Sequence, residues 1–163
     1  VIKVCILTLS DKGSKGLRED LSGAFLKEFV ESLGWQVVSY EILPDEEKMI
    51  KDKLESWIES LSPELILTTG GTGVHPRDVT PEATLQVIDR VVPGIAEYIR
   101  YISFSKTPLS ALSRGVAGIK KETLIINLPG SPKALSEIMP ALVRIIEHAV
   151  SKIKGDTSEC ARN

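Results

Sequence analysis

The sequence is poor in the residues that mark several functional classes. Aromatics make up only 5% of its 163 residues, which argues against a single-stranded nucleic-acid binder that stacks bases on aromatic platforms. Neither charge dominates: 20 basic residues against 22 acidic ones give a formal net charge of −2. The chain as a whole therefore offers no basic footprint for a polyanion, although a local pocket for one small anion stays open. The two cysteines, Cys5 and Cys160, form no CxxC pair and no His/Cys cluster. Cys5 reads as a small core residue and Cys160 as part of a polar tail, a pattern that favours a reducing cytosol over a structural disulfide. His75 and His148 are too isolated to suggest a metal cluster. Long apolar runs are also missing. The cleanest, such as residues 4–7, fall far short of the ~20 residues that span a bilayer, and no basic stretch with an apolar signal core opens the chain. The expectation is a cytoplasmic protein with neither a membrane nor a nucleic-acid partner.

The sequence does hold an alternation of short β-rich runs with longer segments of helical period. At ~100–200 residues per domain this length predicts one domain, over residues 1–154, with a polar tail over 155–163. Strands are predicted at 2–9, 35–43, 64–69 and 123–128. A helix follows the first strand, with Leu21, Phe25, Phe29 and Leu33 recurring every four residues up to Gly34, which has the character of a C-terminal glycine. A second carries Ile50, Leu54, Trp57, Ile58 and Leu61 on one face. Two more are predicted over 81–91 and 94–103. The last helix is capped by Ser131 with Pro132 in its first turn, and buries Leu135, Ile138, Leu142, Ile145, Ile146 and Ala149. Strand runs apolar on both faces, alternating with helices, point to a three-layer α/β/α fold with a mostly parallel sheet. Ligands of such sheets bind outside the carboxyl ends of the strands, near a switch in strand order.

The residues of interest all follow strands. Thr68-Thr69-Gly70-Gly71-Thr72-Gly73 places three glycines in four positions, so the backbone can turn its N–H groups inward as an anion nest, or simply make a tight turn. It is neither a P-loop nor the dinucleotide fingerprint, because Val74-His75-Pro76 follows. Asp78, before Thr80-Pro81-Glu82, is either a surface residue favoured by a helix dipole, or a metal ligand or orienting carboxylate beside the glycine loop. Asp45, after Pro44, is either a helix N-cap or a metal ligand. Asp11, Asp45, Asp78 and the glycine loop would emerge at one edge of the sheet. Carboxylates beside a phosphate-binding nest make sense with Mg²⁺ between them, since Mg²⁺ takes one or two carboxylates plus phosphate oxygens and water. Asn127-Leu128-Pro129-Gly130-Ser131-Pro132-Lys133 supplies a helix N-terminus suited to an anion, and Ser113-Arg114 a hydroxyl and a guanidinium; either could equally be an ordinary cap or surface charge.

Together these segments resemble the molybdopterin adenylyltransferase (MogA-type) family. The resemblance rests on Thr69 to Gly73, Arg77-Asp78-Val79-Thr80-Pro81-Glu82, Leu112-Ser113-Arg114 and Asn127 to Lys133, supported by Leu9-Ser10-Asp11 and Leu43-Pro44-Asp45-Glu46. It runs from about residue 4 to residue 150, in family order. It implies a Rossmann-like fold, usually assembled as a homotrimer, that acts in molybdenum cofactor biosynthesis. The implied reaction is Mg²⁺-dependent transfer of AMP from ATP to the phosphate of molybdopterin, with release of pyrophosphate.

By the same resemblance Asp45 and Asp78 match the two aspartates tied to activity and are expected to be catalytic and to hold the metal. Expected substrate-binding residues are Ser10, Asp11, Thr69, Gly70, Gly71, Thr72, Gly73, Arg77, Ser113, Arg114, Asn127, Pro129, Gly130, Ser131 and Pro132. ATP and molybdopterin are the implied substrates, and a molybdenum-insertion protein is the implied downstream partner. A paralogous MoaB-like group shares the fold and the glycine loop, and some of its members form hexamers and lack adenylylation activity. The Ser103-Phe104 and Gly115 to Gly118 segments resemble that group, whereas Asp11, Asp45 and residues 77–81 resemble the active type. The alternative is thus a pterin-binding protein that does not adenylylate.

Overall fold

Three strands have no polar face to offer water. In a computed structural model that describes residues 1–158, β1 (Lys3–Leu9) is buried beyond its first residue, and β3 (Leu65–Thr69) and β6 (Thr123–Leu128) are buried throughout. Such strands must be covered on both sides. Alternate residues feed two separate cores. Val4, Ile6, Leu65, Leu67, Leu124 and Ile126 pack against α2 (Leu21–Ser32), α5 (Pro93–Phe104) and α6 (Pro132–Ile153). Cys5, Leu7, Ile66 and Ile125 pack against α3 (Glu47–Leu61) and the region of α4 (Thr80–Leu85). Burial pushes the Cys5 thiol up to about 12, which leaves it a core residue without thiolate chemistry at neutral pH.

The described residues form a six-stranded sheet in the order β2-β1-β3-β6-β5-β4, in which β2 is Gln36–Leu43, β4 Arg90–Val91 and β5 Ala117–Lys120. β1 pairs in parallel with β2 and β3, and β3 with β6, whereas β5 runs antiparallel to β6 and β4 antiparallel to β5. This is the mostly parallel α/β/α sheet that the alternation predicts. The chain leaves β1 for β2 on one side and then returns to β3 on the other, so the strand order reverses at the carboxyl ends of β1 and β3.

Several boundaries depart from the periodicity. The helix expected over 81–91 stops at Leu85, and Arg90 and Val91 join the sheet edge instead. Asp89 and Val92 donate their N–H groups to the carbonyls of Ile119 and Ala117, both at 2.8 Å, on β5, a strand that the sequence pattern does not announce. Gly118 makes this packing feasible: a Cβ there would lie 2.5 Å from Ile88 Cδ1 and 2.7 Å from the Arg90 carbonyl. On α2 the buried face runs through Ser22, Gly23, Leu26 and Val30. Phe25 and Phe29 flank it, and Leu21 and Leu33 are exposed, so the four-residue repeat marks the shoulder of the buried stripe. The last helix forms as expected, with the Ser131 hydroxyl accepting from Ala134 N at 3.3 Å and Pro132 at its start. A four-residue turn, α1 (Asp11–Ser14), and a 3₁₀ turn (Pro108–Leu112) complete the described elements. Cys160 lies outside the described residues.

The two-sided burial of β3 sets a test of the architecture. Leu67→Ala should cost about 2–5 kcal/mol, whereas Val91→Ala at the exposed sheet edge should stay within about 0.5 kcal/mol. Urea denaturation of both variants checks the contrast, and equal costs would contradict the layer arrangement.

Candidate active site

At the reversal, the ends of β1, β2, β3 and β6 surround a cleft of about 730 Å³. Ser10, Asp11, Asp45, Thr69, Gly70, Gly71, Asp78, Gly130 and Pro132 line it. These expected site residues come from segments far apart in sequence. Thr72, Gly73, Arg77, Ser113, Arg114, Asn127, Pro129 and Ser131 stand behind or beside that wall rather than on it. Sequence reasoning missed Thr8, Lys12, Arg18, Asp20 and Ser22, which also line the cleft. A signal existed for the last two: Asp20 precedes Gly23 by three residues and begins a helix that follows the first strand, which places that helix N-terminus at the carboxyl edge of the sheet. Asp20 does cap α2, accepting from Gly23 N at 2.9 Å, while Thr8 Oγ1 at 2.7 Å and the Tyr40 hydroxyl donate to its other oxygen.

The glycine loop is shaped by close backbone approach. Gly70 has φ +95°, and a Cβ there would stand 2.5 Å from the Leu9 carbonyl. Gly71, at φ +70°, leaves no room for a Cβ beside Thr80 Oγ1. Thr80 fastens the loop to α4, its N–H donating to the Gly71 carbonyl at 3.1 Å and its hydroxyl to the Gly70 carbonyl at 2.9 Å. Thr69 Oγ1 donates to the Pro129 carbonyl at 2.7 Å, and Ser22 Oγ to the Gly130 carbonyl at 2.5 Å, so the loop after β6 is tied to both β3 and α2. Arg114 holds the far side of the glycine loop, donating through Nε to the Gly73 carbonyl, through Nη2 to the Asp78 carbonyl and through Nη1 to Glu82, each at 2.7 Å. Asn127 is 3% exposed. Its amide donates to Thr68 and Thr84 hydroxyls at 3.0 Å each, and its Oδ1 accepts from Val116 N at 3.2 Å. The structure thus gives both residues internal partners.

The acidic residues are arranged with more tension. Asp45 is not an N-cap: α3 starts after Glu46, which makes no side-chain cap. Asp45 and Asp11 instead bind each other reciprocally, Asp11 N donating to Asp45 Oδ2 at 3.2 Å and Asp45 N to Asp11 Oδ1 at 3.0 Å. Arg77 closes on Asp11 with Nε at 3.1 Å and Nη2 at 2.9 Å, and on Glu46 at 3.0 Å. Hydrogen bonding from Arg77 holds the Asp11 carboxyl down at about 2. Asp45 is pushed the other way, above the usual 3.8, by burial first and then by the charges of Asp11 and Asp78. Its Oδ1 is buried with no hydrogen-bond partner among the described residues, and faces Gly71, where a Cβ would come within 3.0 Å. Asp78 Oδ2 accepts from His75 N at 3.0 Å and sits against Gly73.

The family model described as "Probable molybdopterin binding domain" matches residues 5–148. The chain belongs to that molybdopterin-binding domain family. It is 40% identical over 157 residues to a Helicobacter pylori molybdopterin adenylyltransferase, spanning 95% of this chain and 89% of that one. It is 42% identical over 154 residues to the Drosophila melanogaster molybdenum cofactor synthesis protein cinnamon, of which it spans only 26%. Among solved structures, the molybdopterin biosynthesis enzyme MoaB of Thermus thermophilus superposes with a TM-score of 0.89 at 47% identity, covering 96% of this chain and 98% of that one.

For a molybdopterin-binding domain the cleft has an uncompensated charge. Among the described residues no three His, Cys, Asp or Glu side chains gather as a metal cage, so a protein-only site is absent there. The donor set nevertheless suits Mg²⁺, which needs only one or two carboxylates when phosphate oxygens and water complete its shell. Asp45, with an unpartnered oxygen beside Asp78, meets that requirement.

The raised Asp45 pKa makes a signed prediction. Its stabilising, protonated form is present below the unfolded value and is lost as pH rises through the folded pKa, so at neutral pH the ionised carboxylate costs stability. Asp45→Asn should therefore raise Tm at pH 7 by about 1–3 °C, and the gain should shrink as pH falls. Thermal unfolding across pH checks this; an Asn variant less stable than the parent at pH 7 would contradict it.

Proposed function

We propose that this chain is a Mg²⁺-dependent molybdopterin adenylyltransferase in molybdenum cofactor biosynthesis. The observation that carries the reading is Asp45 Oδ1, buried without a partner beside the glycine loop and near a second carboxylate. A charged oxygen in that position is costly unless a cation joins it. The family membership and the 40% identity to a molybdopterin adenylyltransferase support the same reading.

In the proposed reaction a phosphate oxygen of molybdopterin attacks the α-phosphorus of ATP, the bond from that phosphorus to the bridging oxygen breaks, and pyrophosphate leaves with the bond's electrons. Asp45 and Asp78 are the proposed catalytic and metal-holding residues. When bound, Mg²⁺ would neutralise charge on the reacting phosphates. Ser10, Thr69, Gly70, Gly71, Gly130 and Pro132 would hold the substrates in line, with Thr72 shaping the loop behind them, a positioning task that needs no covalent intermediate. In this reading Asp11 and Arg77 set the orientation of Asp45. Gly73, Ser113, Arg114, Asn127, Pro129 and Ser131 would serve binding by keeping the loops around the cleft in shape. The proposed unit is one domain over residues 1–154, a cytoplasmic homotrimer that hands product to a molybdenum-insertion protein.

A second reading, a MoaB-like protein that binds the pterin without adenylylation and assembles as a hexamer, draws support from the 47% identity to the Thermus MoaB. Incubation with molybdopterin, ATP and Mg²⁺ separates the two. The expected result is adenylylated molybdopterin with stoichiometric pyrophosphate, lost on chelation and reduced at least ~100-fold in Asp45→Asn and Asp78→Asn. Pterin binding without product in the parent protein would favour the second reading.

A further inference from the structure

The two arginines expected to gather phosphates are already engaged. Arg77 is paired with Asp11 and Glu46, and Arg114 with Glu82 and two carbonyls. The wall of the cleft therefore carries carboxylates from Asp11, Glu19, Asp20, Asp45 and Asp78, and an anionic ligand needs positive charge from elsewhere. Two cationic side chains line the cleft, Lys12 and Arg18. Neither makes an ion pair or side-chain hydrogen bond among the described residues. Of the two acids that follow it, Asp20 has both oxygens occupied by Gly23 N, Thr8 and Tyr40, and Glu19, which also lines the cleft, makes no ion pair with Arg18 among the described residues. The backbone brings the pair to one rim: Leu17 N donates to the Lys12 carbonyl at 2.9 Å, closing a turn through Gly16 at φ +71°. Asp45 leaves one oxygen unpartnered in the same cleft.

We infer that Arg18, assisted by Lys12, is the anion-binding element of this cleft and takes the phosphate groups of the ligand. The inference rests on the proposed function only for the names of its ligands; the chemistry it requires is a phosphate ester or polyphosphate. A guanidinium free of protein partners keeps all its donors for phosphate oxygens. Positive charge from Arg18 and Lys12, together with a carboxylate-held cation, would let two phosphorylated molecules share the cleft with less mutual repulsion.

Direct titration by calorimetry tests this without turnover, using inorganic pyrophosphate, ATP and molybdopterin in separate arms with Mg²⁺ present. Arg18→Ala should weaken phosphate binding about five- to tenfold, Arg18→Glu should weaken it further, and Arg18→Lys should restore most of the loss. Arg18 is exposed and unpaired, so unchanged Tm values should accompany these effects. A loss confined to pyrophosphate and ATP assigns the rim to the nucleotide, and a loss confined to molybdopterin assigns it to the pterin phosphate; either supports the inference. Equal affinities across all variants and arms, or no phosphate binding by the parent protein, would overturn it. Arg18-dependent pyrophosphate binding in a protein that forms no adenylylated product would sink the adenylyl-transfer reading and leave this inference standing.

Discussion

The backbone of Gly70 passes so near the Leu9 carbonyl that a single Cβ would clash with it, and the organisation of the cleft depends on that approach. It brings the ends of β1 and β3 together at the point where strand order reverses. Gly130 then packs against Gly70 from β6, with its own would-be Cβ 3.4 Å from Gly70 Cα. Three strand ends can meet this closely only if the crossing residues lack side chains. The hydroxyls of Thr69, Thr80 and Ser22 then fasten the loops to neighbouring carbonyls. The cleft is thus a consequence of how the sheet is wound.

Charge is distributed over this scaffold with opposite consequences on its two faces. Arg114 spends its donors on two loop carbonyls and Glu82, and Arg77 spends its own on Asp11 and Glu46. Both arginines therefore shape the walls. Asp11, stabilised as an anion by Arg77, in turn fixes Asp45, and the second Asp45 oxygen is left in a poorly solvated place with like charges around it. Such an arrangement opposes folding stability at neutral pH, because a charged oxygen with no partner is poorly tolerated where water is scarce.

Hydrophobic period and turn chemistry were legible because both are local. The doubly buried strands, the capped last helix at Ser131 and the glycine run after β3 follow from neighbours a few residues apart, and together they identify a parallel α/β sheet with its site at the carboxyl edge. The edge strands β4 and β5 were not legible. They are short, and what draws Arg90 and Val91 into the sheet is pairing with residues 118 and 119, with no local period to announce it. The buried face of α2 is set off from its four-residue repeat for a related reason, since an apolar repeat shows that a stripe exists but not how the helix is turned against the sheet.

The sequence by itself determined the fold class, the family and the set of loops that meet at the site, because each is encoded in residue type and spacing along the chain. Only the tertiary structure decided which polar groups are already paired. Arg77 meets Asp11 across 66 residues, Arg114 meets the Gly73 carbonyl across 41, and Asn127 meets Thr68 across 59. A charge or amide has no preferred partner in a linear pattern; the winding of the sheet selects one. That selection gives Arg77 and Arg114 partners within the protein, and leaves one oxygen of Asp45 and the Arg18 guanidinium without one among the described residues.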